Sequence, residues 1–282
     1  MNERTQLKKA PLAWRASAYA IMIAFALLTV FPLLWLGYSS LKPNAEIVKH
    51  PLALPQAPSL RNYVQAWTMG GLGISLLNSF VYTIAATAST LLLALSAAFG
   101  LAKFPFKSAR FFTSAFAVGL MITVHAVIVP LFLLEVRLGL INKRLGVVLP
   151  YIAFNLPMSI LIALSFVRGI PDALIESAEI DGARYRRIFW GLILPLSGPV
   201  VTTMAILSFL QHWNEFLFVF IFTTKAALKS LPVAITQFAG RQNIEYGLQY
   251  ASLVIGILPM ICFYFLFHEQ LKKGFGEGAL KE

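Results

Sequence analysis

Six separate stretches of this sequence are long and apolar enough to cross a lipid bilayer, and that repetition fixes the solvent in which the chain folds. Crossing the hydrocarbon core takes about 20 apolar residues in helical form, because only a helix or a closed barrel satisfies its own backbone there. The stretches cover residues 16–38, 76–102, 111–134, 145–167, 200–222 and 246–267. Barrel strands would read as shorter alternating segments, so the expected fold is an all-α membrane protein with six transmembrane helices. Charged residues make up only 12% of the chain, well below the share in a soluble domain, which argues against one large aqueous core. The first stretch is too long for the core of a signal peptide, and its small-residue triplet Ala16-Ser17-Ala18 precedes the run, so it is expected to stay as an anchor.

Lys and Arg flanking the spans set the expected orientation. With the N-terminus inside, 14 of the 23 cations lie on the cytoplasmic side and 9 on the other, and both termini are then cytoplasmic. The net charge of +11 does not imply nucleic acid, because the cations flank apolar spans and suit anionic lipid headgroups. Residues 1–15 form an N-terminal segment, 16–267 the six-helix domain and 268–282 a C-terminal tail. The lone Cys262 falls within the sixth span, so it forms no intrachain disulfide and is expected to be a small packing residue. In the outer segment 41–73, Ser59-Leu60-Arg61-Asn62-Tyr63 can open a short surface helix. No internal duplication is visible.

The inner loop at about 171–195 is too elaborate for a connector, which needs only a few residues. Pro171 and Asp172 are helix-start residues and Gly182 is a helix stop. Asp172, Glu176 and Glu179 share one helical face, while Leu174, Ile175 and Ala178 fall on another. A second short segment carries Arg184, Arg186 and Arg187 with Ile188, Phe189 and Trp190. The pattern by itself fits either a protein dock or a helix in the headgroup region, and the acidic face weighs against an anionic surface.

At these residues the chain resembles the membrane subunits of ATP-binding-cassette importers. Their hallmark is Glu-Ala-Ala, two residues, Asp-Gly, nine residues, then Ile-x-Leu-Pro. Here it reads Glu176-Ser177-Ala178, Asp181-Gly182, then Leu192-Ile193-Leu194-Pro195, with Ser177 and Leu192 as the two departures. Asn78-Ser79-Phe80, Leu149-Pro150-Tyr151, Trp213-Asn214-Glu215-Phe216 and the tail Gly274-Phe275-Gly276-Glu277-Gly278-Ala279-Leu280-Lys281 are similar to the carbohydrate branch, specifically the smaller maltose-type permease. Leu280 and Glu282 depart from that branch's usual ending.

The resemblance implies a type I importer permease in a bacterial plasma (inner) membrane. The paired helices would be coupling helices, with Glu176, Ser177, Ala178, Asp181, Gly182, Ala183, Leu192, Leu194 and Pro195 meeting the ATPase. It further implies a second, different permease, two ATPase subunits that bind ATP and Mg, an external solute-binding protein and a carbohydrate cargo. This chain would bind no cofactor or metal itself. It contains no Gly-x4-Gly-Lys-Ser/Thr loop, no His-Glu-x2-His pair and no Gly-x-Ser-x-Gly elbow, so hydrolysis is expected from another chain. The rival is a secondary transporter or channel subunit, which needs intramembrane charges for coupling but no paired-helix loop. Among polar residues in the spans, His212, Asn214 and Glu215 are candidates for the pathway or gate, and a structural hydrogen-bonded pair of His212 and Glu215 is the other reading.

Overall fold

The computed structural model describes residues 12–104, 106–238 and 245–279, the side chains of 12, 13, 15 and 270–279 excepted. The helices run in the order α1 (Leu12–Ser39), α2 (Asn44–Lys49), α3 (Arg61–Met69), α4 (Leu72–Lys103), α5 (Ala109–Gly119), α6 (Val124–Arg137) and α7 (Leu145–Arg168). They continue with α8 (Asp172–Ile180), α9 (Tyr185–Ile188), a π-helical turn (Phe189–Ile193), α10 (Leu194–Leu196), α11 (Gly198–Trp213), α12 (Leu217–Phe222), α13 (Leu231–Ile235) and α14 (Tyr246–Ala279). Two compact units divide the chain, one running up to Gly70 with Ile235–Ile257, the other comprising Gly71–Ala234 with the chain from Leu258 on.

Among the described residues, four helices are each long and apolar enough to cross a membrane, and there are up to six spans when each of two bent helix pairs counts as one. The six-span expectation stands, but spans three and five are not the straight helices that their hydropathy suggests. The third breaks between α5 and α6, which meet at 103°. Gly119 ends α5 where it abuts the Pro157 ring: an added Cβ would lie 3.2 Å from Pro157 Cγ. Of the four linking residues, Leu120, Met121 and Ile122 are apolar and only Thr123 is polar, so a hydropathy window passes over the break. The expected fifth span, 200–222, is interrupted after Trp213, with α12 as a separate short helix; the bent pair counted in its place joins Tyr185–Leu196 to Gly198–Trp213 at 76° and so begins within the segment expected as an inner loop.

In the larger unit, α4 and α7 make the most extensive helix–helix contact. Small residues permit it: Ala86, Ala94 and Ala98 on α4 and Ala163 on α7 are fully buried, allowing close backbone approach where lipid supplies no hydrophobic drive between helices. The other end of α4 holds a loop. Asn78 Nδ2 donates to the carbonyls of Ala227 and Lys229, the Tyr82 hydroxyl donates to Leu228 O, and Ser79 Oγ accepts from Leu231 N–H. The Asn78-Ser79 pair noted in the sequence is thus a clamp on segment 227–231. Asn142, in the left-handed region at φ 58°, uses Oδ1 to accept from the N–H groups of Thr224 and Lys225. Cys262 departs from expectation: it is exposed on α14 instead of packed within the chain.

The smaller unit is organised by buried polar groups that serve the backbone. Lys42 is 0% exposed, lies 5.1 Å over the Tyr38 ring, and donates from Nζ to the carbonyls of His50 and Pro51. Asn62, on the helix expected near Ser59–Tyr63, donates to Ser40 O at 2.7 Å and Lys42 O at 2.8 Å. The start of α14 closes on the same side chain, since a Cβ on Gly247 would lie 2.7 Å from Asn62 Nδ2. Replacing Asn62 with Leu strips two carbonyls of their partner and should cost about 1–3 kcal/mol. The expected outcome is a lower thermal midpoint and faster proteolysis within 41–60 in detergent; a variant indistinguishable from wild type in both assays would remove Asn62 from this role.

Candidate coupling site and buried polar network

The coupling segment is built on a left-handed turn. Gly182 has φ 76°, a conformation that L side chains rarely adopt. Its N–H bonds Glu179 O at 2.9 Å and the Ala183 N–H bonds Ala178 O at 2.9 Å. These are the two bonds of a Schellman motif, which satisfies the last carbonyls of α8 while reversing the chain. The predicted helix stop is therefore the observed one. Asp172 sits in the first turn of α8, where a carboxylate suits the positive end of the helix dipole.

Four buried side chains seat this segment on the membrane helices. Ile175 from α8, Ile188 from α9, and Phe189 and Ile193 from the π-helical turn join Leu95, Ala98 and Phe99 of α4 and Ala163, Leu164 and Val167 of α7 in one core. Phe104 bridges the two sides, edge-on to Phe99 at 5.3 Å and to Tyr185 at 4.7 Å. Lys103, at the end of α4, donates to Ile170 O and pairs with Asp172 Oδ1 at 2.7 Å. The Lys103 side chain is 5% exposed and that of Asp172 75%, so the lysine is the buried half of the strut. In the sequence Lys103 is one more cation flanking an apolar span. Its partner lies far along the chain, and no local pattern points to it.

The exit from the segment is equally specific. The Leu194 N–H bonds Phe189 O, five residues back, and Pro195 then has no N–H to continue an ordinary ladder. The π-helical turn absorbs that mismatch, a feature frequent at functional sites. Leu192, Leu194 and Pro195 of the motif thus shape a bend leading into α11, with Leu192 and Leu194 packed against the core.

The candidate dock residues divide by exposure. Glu176, Ser177, Asp181 and Gly182 face outward, whereas Ala178 and Ala183 are half-buried against the core. The Ser177 hydroxyl returns to Leu174 O at 3.0 Å, so its side chain is used within the helix. The amphipathic reading needs one correction: Leu174 does not join Ile175 and Ala178 in the core but is exposed. Ile180, at 86% exposure, Tyr185 and Trp190 are also exposed, so an apolar surface lies beside the acidic one. Glu179, Ala183, Arg184, Tyr185 and Arg186 line a shallow open hollow beside the turn.

The pathway candidates are near one another in sequence but do different things. His212 is 3% exposed, bonds Thr87 Oγ1 at 3.0 Å through Nδ1, places Nε2 3.2 Å from Tyr151 O, and stacks on the Tyr151 ring at 5.3 Å. It ties α11 to α4 and α7. Glu215 Oε1 accepts from Phe218 N–H at 2.9 Å and caps α12, while Oε2 has no partner of hydrogen-bond geometry. No direct His212–Glu215 side-chain bond joins the pair. Asn214 is exposed and donates to Leu210 O at 2.8 Å. Next to them, Asn155 donates to Gln211 Oε1 at 2.6 Å and accepts from the hydroxyls of Ser159 and Ser208. The sequence marks these side chains as polar and intramembrane but does not show their pairing across helices.

With this geometry established, comparison with known proteins is informative. Residues 90–275 match the family described as "Binding-protein-dependent transport system inner membrane component". The chain is 32% identical over 268 residues to the diacetylchitobiose uptake system permease protein NgcG of Streptomyces coelicolor, covering 94% of this chain and 89% of that one. It is 34% identical to the sulfoquinovosyl glycerol transport system permease protein SmoH of Agrobacterium fabrum, covering 89% of each. Identity to the trehalose transport system permease protein SugB of Mycobacterium tuberculosis is 32%, over 95% of this chain and 99% of that one. In fold, it matches a chain of a bacterial ABC transporter involved in import of the acidic polysaccharide alginate, with a TM-score of 0.81 at 21% identity over 91% of this chain and 96% of the other. The chain therefore belongs to the family of binding-protein-dependent transport system inner membrane components.

Proposed function

We propose that this permease subunit of an ATP-driven importer carries a carbohydrate, and that the segment from Asp172 to Pro195 receives the motion of a separate ATPase. The observation that carries the coupling assignment is the Gly182 turn, which holds an acidic and apolar surface outward while four buried side chains seat it on α4 and α7. Apolar residues such as Leu174 and Ile180 would fill a groove on the partner, and Glu176 and Asp181 would fix register against its basic or N–H groups. ATP and Mg belong to that partner. This arrangement favours an ATPase-driven importer over a secondary transporter or channel, which has no use for a seated lever.

The carbohydrate assignment rests on relatives named for diacetylchitobiose, sulfoquinovosyl glycerol and trehalose transport. Six spans from one chain enclose a sugar pathway poorly, so the complete importer pairs this subunit with a second, different permease, two ATPases and an external solute-binding protein. Both termini would face the cytoplasm, on the side that carries the coupling segment.

Three measurements test these proposals. Gly182→Val places a β-branched residue at positive φ, so the turn should open without loss of membrane insertion. Binding-protein-stimulated ATP hydrolysis should fall about tenfold or more, the scale of a typical coupling free energy; normal transport would sink the lever. Lys103→Met leaves Asp172 and the Ile170 carbonyl without their cation. It should reduce solute carried per ATP hydrolysed while the ATPase still co-purifies, and an unchanged ratio would show the strut to be dispensable. Titration of the cognate binding protein against a saccharide panel should find a ligand, whereas binding of peptides or amino acids instead would overturn the cargo and leave the importer intact.

A further inference from the structure

The break between α11 and α12 leaves two carboxamides exposed on one helical face: Gln211 and Asn214, three residues apart. Their orientations follow from their partners. Asn155, 4% exposed on α7, accepts at Oδ1 from Ser159 Oγ at 2.8 Å and Ser208 Oγ at 2.7 Å. Its Nδ2 faces Gln211 and donates to Oε1 at 2.6 Å. The Gln211 oxygen is thereby turned inward and its NH2 outward. Asn214 is fixed in the opposite sense. Its Nδ2 donates to Leu210 O at 2.8 Å, a backbone carbonyl that can only accept, so Oδ1 is the atom left outward. The exposed face thus presents a donor and an acceptor side by side, both neutral.

Amides turned toward hydrocarbon would carry a desolvation penalty with nothing to offset it. Amides turned toward a water-filled route carry none, and a donor beside an acceptor suits neighbouring hydroxyls, each of which both gives and takes a hydrogen bond. Neutral partners also hold a solute weakly enough to release it, as conduction requires. We infer that Gln211 and Asn214 contact the hydroxyl groups of the carbohydrate in transit, and that Asn155 is a positioning residue that sets which end of the Gln211 amide faces it. This inference rests on the carbohydrate reading above and adds the atoms that meet the cargo.

The test uses the complete importer in proteoliposomes, with its binding protein and radiolabelled maltose, trehalose and cellobiose as probes. Gln211→Glu keeps an oxygen for Asn155 but replaces the outward donor with an acceptor. It should raise the KM for uptake about tenfold, the worth of one well-placed hydrogen bond, without altering co-purification of the other subunits. Asn155→Asp removes the donor to Gln211, so the glutamine amide turns over and the same rise in KM follows. Because nothing is then left to position, Asn155→Asp should add no further loss to Gln211→Leu, whereas a purely structural role for Asn155 makes the two losses additive. Unchanged KM in both Gln211 variants overturns the inference while leaving the cargo reading intact. Loss of co-purification in Gln211→Glu overturns it in favour of a contact between permease subunits. A binding protein that takes peptides in place of sugars overturns the cargo reading and, with it, this ligand.

Discussion

In a hydrocarbon solvent the backbone must supply its own hydrogen-bond partners, and several departures from a straight helix among the described residues answer that demand. Where α11 gives way to α12, Asn214 donates to a carbonyl four residues back and Glu215 accepts the N–H of Phe218. Where Pro195 interrupts the ladder, a π-helical turn takes up the slack. Where segment 227–231 crosses the end of α4, Asn78, Ser79 and Tyr82 answer its carbonyls and an N–H. At two of these three places polar side chains answer the interrupted backbone, and at Pro195 the backbone itself does so.

Those breaks divide the larger unit into parts of different stiffness. Near the coupling segment, aliphatic and aromatic side chains from α4, α7 and the π-helical turn interlock around Phe99 and Phe189. Through this apolar core α8 is packed against both α4 and α7. Lys103 adds a directional link at the perimeter of that core. Farther along α4, contacts with α11 run through hydrogen bonds such as Thr87 to His212. Such bonds have few alternative geometries, and a rearrangement exchanges discrete partners.

The number of spans and the coupling turn were legible from the sequence, because apolar runs and a glycine after an amphipathic stretch follow directly from solvent and backbone sterics. The break after Gly119 was not, since it depends on the Pro157 ring of another helix and lies among apolar residues. The exposure of Leu174 was also hidden: helical spacing groups it with Ile175, yet the core reaches only one side of α8. His212 and Glu215 were visible as candidates, but their partners, Thr87 and the Phe218 N–H, are set by tertiary packing and by a helix end that the hydropathy profile runs through. The tail from 270 onward, which carries the family-like residues Gly274 to Lys281, lies outside the side chains described.

Helix α1 has a different relation to the fold. None of its most apolar window is buried against the rest of the described chain. Only its last turns pack within the chain: the Trp35 indole N–H donates to Pro51 O, the Tyr38 hydroxyl donates to Leu52 O, and Ser39 is fully buried. The apolar run that precedes them is left for lipid or another protein to cover, so the helix is tied to the rest of its unit at one end only.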